Sequence, residues 1–83
     1  MLPRIISVRP DRDYRIWIRF SDGAEGIVDL GPDLSGPLFG PLREPALFAQ
    51  LRFDPDIHTV VWPNGADLAP EYLRSLLEAA TAA

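Results

Sequence analysis

An α+β fold is predicted for this sequence: a small antiparallel sheet of about four or five strands, with a short middle helix and a C-terminal amphipathic helix packed on one face. Three features predict it. Residues 13–30, DYRIWIRFSDGAEGIVDL, alternate apolar and polar side chains with a period of two on both sides of a glycine turn. Residues 69–80, APEYLRSLLEAA, instead place Leu73, Leu76, Leu77 and Ala80 at helical spacing. Between these segments, GPDLSGPLFGPLREP (31–45) holds four of the nine prolines and three of the six glycines, which separates the hairpin from the second half of the chain.

The hairpin has a testable register. With residues 21–23 as a three-residue loop, Gly23 takes the left-handed position that closes a type I turn with a bulge. One face then pairs Phe20 with Ala24, Ile18 with Gly26, Ile16 with Val28 and Tyr14 with Leu30. The other face pairs Arg19 with Glu25, Trp17 with Ile27 and Arg15 with Asp29. A two-residue loop would set Phe20 against Glu25 and Ile16 against Asp29 on the core side. Slipping by one residue exchanges the faces of a whole strand, so the three-residue loop is preferred.

The remaining elements are shorter. RIISVRP (4–10) reads as a first strand, with Ile6 and Val8 on one face and Ile5, Ser7 and Arg9 on the other. The proline-rich segment reads as an ordered wrap with one helical turn near residues 38–42. EPALFAQL (44–51) reads as a short helix with Glu44 near the cap, Pro45 in the first turn, and Leu47, Phe48 and Leu51 turned inward. Two short strands come next, at residues 51–53 and 58–62, joined through Asp54-Pro55-Asp56. Residues 79–83 are expected to fray. Residues 1–83 make one small domain.

Composition ranks the function classes. Apolar residues make up 47% of the chain, an ordinary globular share. No run approaches the roughly 20 apolar residues of a membrane span, and residues 1–10 carry no signal-peptide pattern. There is no cysteine, which removes disulfides, thiolate metal sites and a catalytic thiol. A cytoplasmic protein with no membrane association and no cofactor is expected. The net charge is −4, and all eight basic residues are arginines. An acidic chain is a poor ligand for the phosphates on which nucleic-acid affinity rests, which argues against direct DNA or RNA binding.

Two groups of residues could carry a function. Arg15, Trp17 and Arg19 form a cation–aromatic–cation row of the kind that stacks on single-stranded nucleic acid. Glu25 and Asp29 stand opposite the arginines, however, so cross-strand ion pairs of about 0.2–1 kcal/mol each are the preferred reading. Trp17 and Ile27 are left as an apolar stripe between the pairs, to be covered by this chain or by a partner. The second group lies in TVVWPNGADLAPEYL (59–73), around Trp62, Asn64, Asp67 and Glu71. Asn64-Gly65 suits a turn, Asp67 lies within a turn of a helix start, and Pro70 with Glu71 suits a first helical turn. The sharper alternative pairs Asp67 with Glu71 as metal ligands or as acid and base. Asp54, Asp56 and His58 are further candidate ligands, but no zinc, calcium or magnesium spacing is present. Ser21, Ser35 and Ser75 lie outside any nucleophile elbow, and Gly31, Gly36 and Gly40 make no phosphate loop. Catalysis is therefore not expected.

FSDG at the end of one strand, VDL in the next, LFGPL in the middle and WPNGADLAPEYL resemble the small bacterial family catalogued as domain of unknown function 2442. The resemblance spans nearly the whole chain, roughly residues 3–73. It implies a compact α+β domain with no assigned catalytic residue, and it marks Asp22, Gly23, Asp29, Trp62, Asn64, Gly65, Asp67 and Pro70. Some relatives continue into a helix-turn-helix DNA-binding domain. This chain ends about ten residues after Leu73, so no such attachment is expected. Other relatives are encoded beside a second small family, which implies a two-protein toxin–antitoxin module. The leading expectation is thus a non-enzymatic protein-interaction domain, the antitoxin-like half of such a module. Its docking surface would be the stripe of Arg15, Trp17, Arg19 and Ile27, or an exposed sheet edge, and its partner a small bacterial protein or a second copy of the chain. The alternatives are a small-ligand or metal site at Asn64, Asp67 and Glu71, and a regulator acting with a DNA-binding partner.

Overall fold

A computed structural model describes residues 3–81 of the chain. Three strands, β1 (Ile5–Pro10), β2 (Arg15–Phe20) and β3 (Glu25–Asp29), pair antiparallel in chain order. The β2–β3 register is the expected one, from Arg15 opposite Asp29 to Arg19 opposite Glu25. The loop is the expected three residues: Phe20 N–H donates to Ala24 O at 2.8 Å, and Gly23 has φ +92°. On the other side of the sheet, Ile5 pairs with Phe20 but Ser7 pairs with Arg19, so Ile6 is an extra residue in a bulge. The bulge corrects the expected faces of β1. Ile5 and Val8 point to the core, while Ile6 turns outward and is 50% exposed.

Tyr14 does not continue the strand as the alternation predicts. Its backbone does lie opposite Leu30, whose N–H donates to Tyr14 O at 2.9 Å. However, Asp13 and Tyr14 have φ +58° and +63°, and β2 starts only at Arg15. This left-handed corner drives the Tyr14 ring against Phe48, with centroids 5.4 Å apart and ring planes nearly perpendicular. The Tyr14 hydroxyl donates to Arg43 O.

The proline-rich segment contains more structure than the single expected turn. A 3-10 turn (Gly31–Asp33), the helical turn α1 (Gly36–Phe39) and a second 3-10 turn (Gly40–Arg43) lead into α2 (Pro45–Phe48). Each starts with proline in its first turn, where the missing N–H costs nothing and the fixed φ is already helical. Leu34 and Leu42 are buried along this wrap, and the Arg43 guanidinium ties it together by donating to Leu34 O at 2.7 Å. At α2 the expected cap is present: the Glu44 carboxylate accepts from Ala46 N–H at 3.5 Å. Phe48 and Leu51 are buried.

Strands β4 (Arg52–Asp54) and β5 (Thr59–Val61) form a separate two-stranded sheet, not an extension of the first. They pack against β1 without joining its ladder. His58 does not open β5. With φ +55° it is the last residue of the turn, and its N–H donates to Asp54 O at 2.7 Å.

Helix α3 (Pro70–Thr81) buries Leu73 and Leu77, half-buries Leu76, and packs on β3. Ala80, expected on the buried face, is exposed. The helix runs to Thr81, and of the residues expected to fray, 82–83 lie outside the described part. Gly26 lets α3 approach, because a Cβ there would lie 2.8 Å from Leu77 Cδ1. One apolar cluster joins Ile16, Ile18 and Phe20 of the sheet to Leu34, Leu42, Phe48, Val60, Trp62 and Leu73.

Candidate interaction surface

The inner face of the three-stranded sheet is core, so the alternation of β2 and β3 forces Arg15, Trp17, Arg19, Glu25, Ile27 and Asp29 onto the outer face. This face is open. Ile27 is 47% exposed, and the five others are exposed except for Trp17, which is half-buried. Arg9 of β1, directly opposite Trp17, covers part of the indole with its guanidinium 4.3 Å from the ring centre. Sequence reasoning missed this contact because it depends on the β1–β2 register, which the bulge at Ile6 resets.

The structure brings the four surface residues together, but only one of the expected ion pairs forms. Arg19 Nε lies 3.5 Å from Glu25 Oε2, with both side chains about half exposed. Arg15 and Asp29 face each other in register without an ion pair. Asp29 Oδ1 accepts from Gly31 N–H at 2.9 Å, capping the turn into the proline-rich wrap. The outer face therefore carries an aromatic–aliphatic pair flanked by a closed ion pair on one side and an open one on the other.

The residues of the strand-to-helix junction have separate structural tasks. Trp62 is buried, and its indole N–H donates to Phe48 O at 3.0 Å. Asn64 spends both ends of its amide inside the chain: Oδ1 accepts from Ala66 N–H at 3.1 Å, and Nδ2 donates to Leu38 O at 2.9 Å. Gly65, with φ +91°, donates its N–H to Trp62 O. Asp67 does not accept backbone N–H groups at the start of α3, as its position in the sequence predicts. It forms an isolated bridge with Val61 instead, and its exposed carboxylate accepts no hydrogen bond among the described residues. Glu71 is exposed in the first turn of α3. Asp54 Oδ1 accepts from Asp56 N–H at 2.8 Å within the turn before β5. Among the described residues, no three His, Asp or Glu side chains converge as a metal site.

Two polar contacts of α3 reach far back along the chain. Arg74 grips Asp22 of the hairpin loop, and this ion pair, helped by the Ala24 N–H, holds the Asp22 carboxyl below its ordinary value. Asp22, then Glu78, push the Arg74 guanidinium the opposite way. Tyr72 donates its hydroxyl to Asp33, and that bond, with partial desolvation second, raises the phenol above its ordinary value. No helix among the described residues is long and apolar enough to cross a membrane.

The chain matches a known family. Its description is protein of unknown function (DUF2442), and its profile matches residues 5–78, from the first strand through most of α3. No curated protein and no solved structure matches the chain. A match over nearly the whole length shows that this chain belongs to the DUF2442 family.

Proposed function

We propose that the chain is a protein-interaction domain that acts by occluding a partner's surface, as the antitoxin-like half of a two-protein module. The observation that carries this reading is the open outer face of the sheet, with Trp17 and Ile27 paired at its centre. A tryptophan already held in place by Arg9 loses little conformational freedom on docking. Buried at the centre of an interface, such a residue is worth about 2 kcal/mol or more. The antitoxin-like role comes from the two-protein arrangement that the family resemblance implies.

The test combines affinity capture of the tagged protein from its host lysate with light scattering on the purified sample, for wild type and Trp17→Ala. The expected result is one stoichiometric small partner, retained by the wild type and lost by a variant that still melts cooperatively. If the variant unfolds, Trp17 is a core residue and the surface loses its centre. If the wild type runs clean and captures nothing, the interaction reading fails. A ligand screen at Asn64, Asp67 and Glu71 is then the next step, since a ligand at 100 times its dissociation constant stabilises by about 2.7 kcal/mol.

A further inference from the structure

Strand β3 ends the sheet. Its hydrogen-bonding pattern is set at both ends, by Phe20 N–H donating to Ala24 O and by Leu30 N–H donating to Tyr14 O. Residues 24, 26, 28 and 30 therefore turn their backbone groups toward β2. By alternation, the N–H and C=O groups of Glu25, Ile27 and Asp29 point away from the sheet along its free edge. An open edge of this kind is a template for one more strand. The side chains along it read acid, apolar, acid, and all three lie on the outer face.

From this edge we propose that β3 accepts an extended segment of a partner that carries cation, apolar and cation at alternate positions, paired antiparallel to β3. The proposal rests on the interaction-domain reading and names how the partner is held. The pattern of the complement is visible on the other side of β3. There β2 presents Arg15, Trp17 and Arg19 to Asp29, Ile27 and Glu25. A strand of the same pattern on the free edge would offer a cation to each carboxylate and extend the Trp17–Ile27 row by one apolar side chain. Asp29 has no ion pair with Arg15, although its Oδ1 already accepts from Gly31 N–H at 2.9 Å, and Glu25 meets Arg19 only at 3.5 Å with both side chains half exposed. A second copy of β3 makes a poor occupant. Pairing two β3 strands about Ile27 sets Glu25 against the second copy's Asp29, and a two-residue shift sets Ile27 against an acid.

The test uses a synthetic peptide with the sequence of residues 14–20, YRIWIRF, and a control with both arginines replaced by glutamate. Binding is measured by calorimetry, and amide exchange by NMR on the full chain. The expected result is binding of the arginine peptide only, weakening with salt, with new protection at the amides of Glu25, Ile27 and Asp29. The double variant Glu25→Lys/Asp29→Lys should weaken it by about tenfold or more and gain affinity for the glutamate peptide. Equal binding of both peptides, or protection that appears elsewhere, overturns the edge proposal. The same double variant separates this proposal from the broader reading. A natural partner that Trp17→Ala releases but Glu25→Lys/Asp29→Lys retains would leave the interaction domain standing and remove the edge.

Discussion

Arg74 of α3 holds both oxygens of Asp22, Nη1 to Oδ1 at 3.1 Å and Nη2 to Oδ2 at 3.0 Å, across 52 residues of sequence. The same guanidinium lies 5.0 Å from the ring centre of Phe20, so one side chain bolts the helix to the hairpin turn through charge and through an aromatic face. Glu78 adds a second carboxylate one helical turn on, at 3.1 Å.

The pH dependence of this clamp has a defined sign. Asp22 is lowered in the folded chain from its ordinary 3.8, first by the bond to Arg74. Its contribution to stability is therefore complete above that value and is lost as pH falls through the lower folded value. Asp22→Asn should melt below the wild type at neutral pH, and the gap should close on acidification. Thermal melts across the acid range check this, and a gap that stays constant with pH would refute the assignment.

Tyr72 and Asp33 give the opposite limb. The phenol is raised above 10.0, chiefly by its bond to Asp33, so its contribution is full below 10.0 and is lost as pH rises through the folded value. Tyr72→Phe should remove part of the alkaline transition, and melts across the alkaline range check this. In Asp33→Asn, the Tyr72 ring resonances should titrate at lower pH than in the wild type.

Trp62→Phe tests the core side of the junction. The smaller ring leaves a void and removes the buried indole bond to Phe48 O, which keeps only the longer bond from Leu51 N–H at 3.3 Å. A loss of about 2–4 kcal/mol is expected from denaturant melts. Trp17→Ala, on the open face, should cost under about 1 kcal/mol.

Gly26→Ala tests the approach of α3. The new methyl meets Leu77 Cδ1 at 2.8 Å inside a packed contact, so a cost of about 1–3 kcal/mol is expected. Combined with Leu77→Ala, the two costs should sum to more than the double variant shows, because the second change makes room for the first.

How far the sequence could be read depended on the range of each interaction. The β2–β3 register was legible because only one loop length puts Ile16 and Ile18 against apolar partners and Arg19 against Glu25. Leu73 and Leu77 were legible from helical spacing alone. Pro45 was legible as a helix start, but Pro32, Pro37 and Pro41 misled, since a proline that stops one helix is equally suited to start the next, and here each starts a helical turn. The bulge at Ile6 left no local trace, because Ile5, Ile6 and Val8 are all apolar enough to face inward. The sequence shows which residues stand opposite each other but not whether two long exposed side chains close, and Arg15 and Asp29 stand in register without an ion pair. On the candidate surface, Arg15, Trp17, Arg19 and Ile27 could be placed on one face by alternation, but Arg9 could not. The long-range polar contacts, Arg74 with Asp22 and Tyr72 with Asp33, join residues that no spacing rule connects.

The chain-order pairing of the strands also bears on how fast the protein folds. β1, β2 and β3 pair with sequence neighbours, and β4 pairs with β5, so every ladder closes a short loop. Short closures cost little entropy, and chains dominated by local contacts cross their folding barrier quickly. The long closures are the packing of β4 and β5 on β1 and the return of α3 to β3, where Leu77 meets Gly26 and Arg74 meets Asp22. Ladders can zip before these distant elements dock, and the helix closes on a hairpin that is already paired. Loosening the α3 contact should therefore act mainly on how fast the protein opens, leaving the rate at which its hairpin forms largely unchanged.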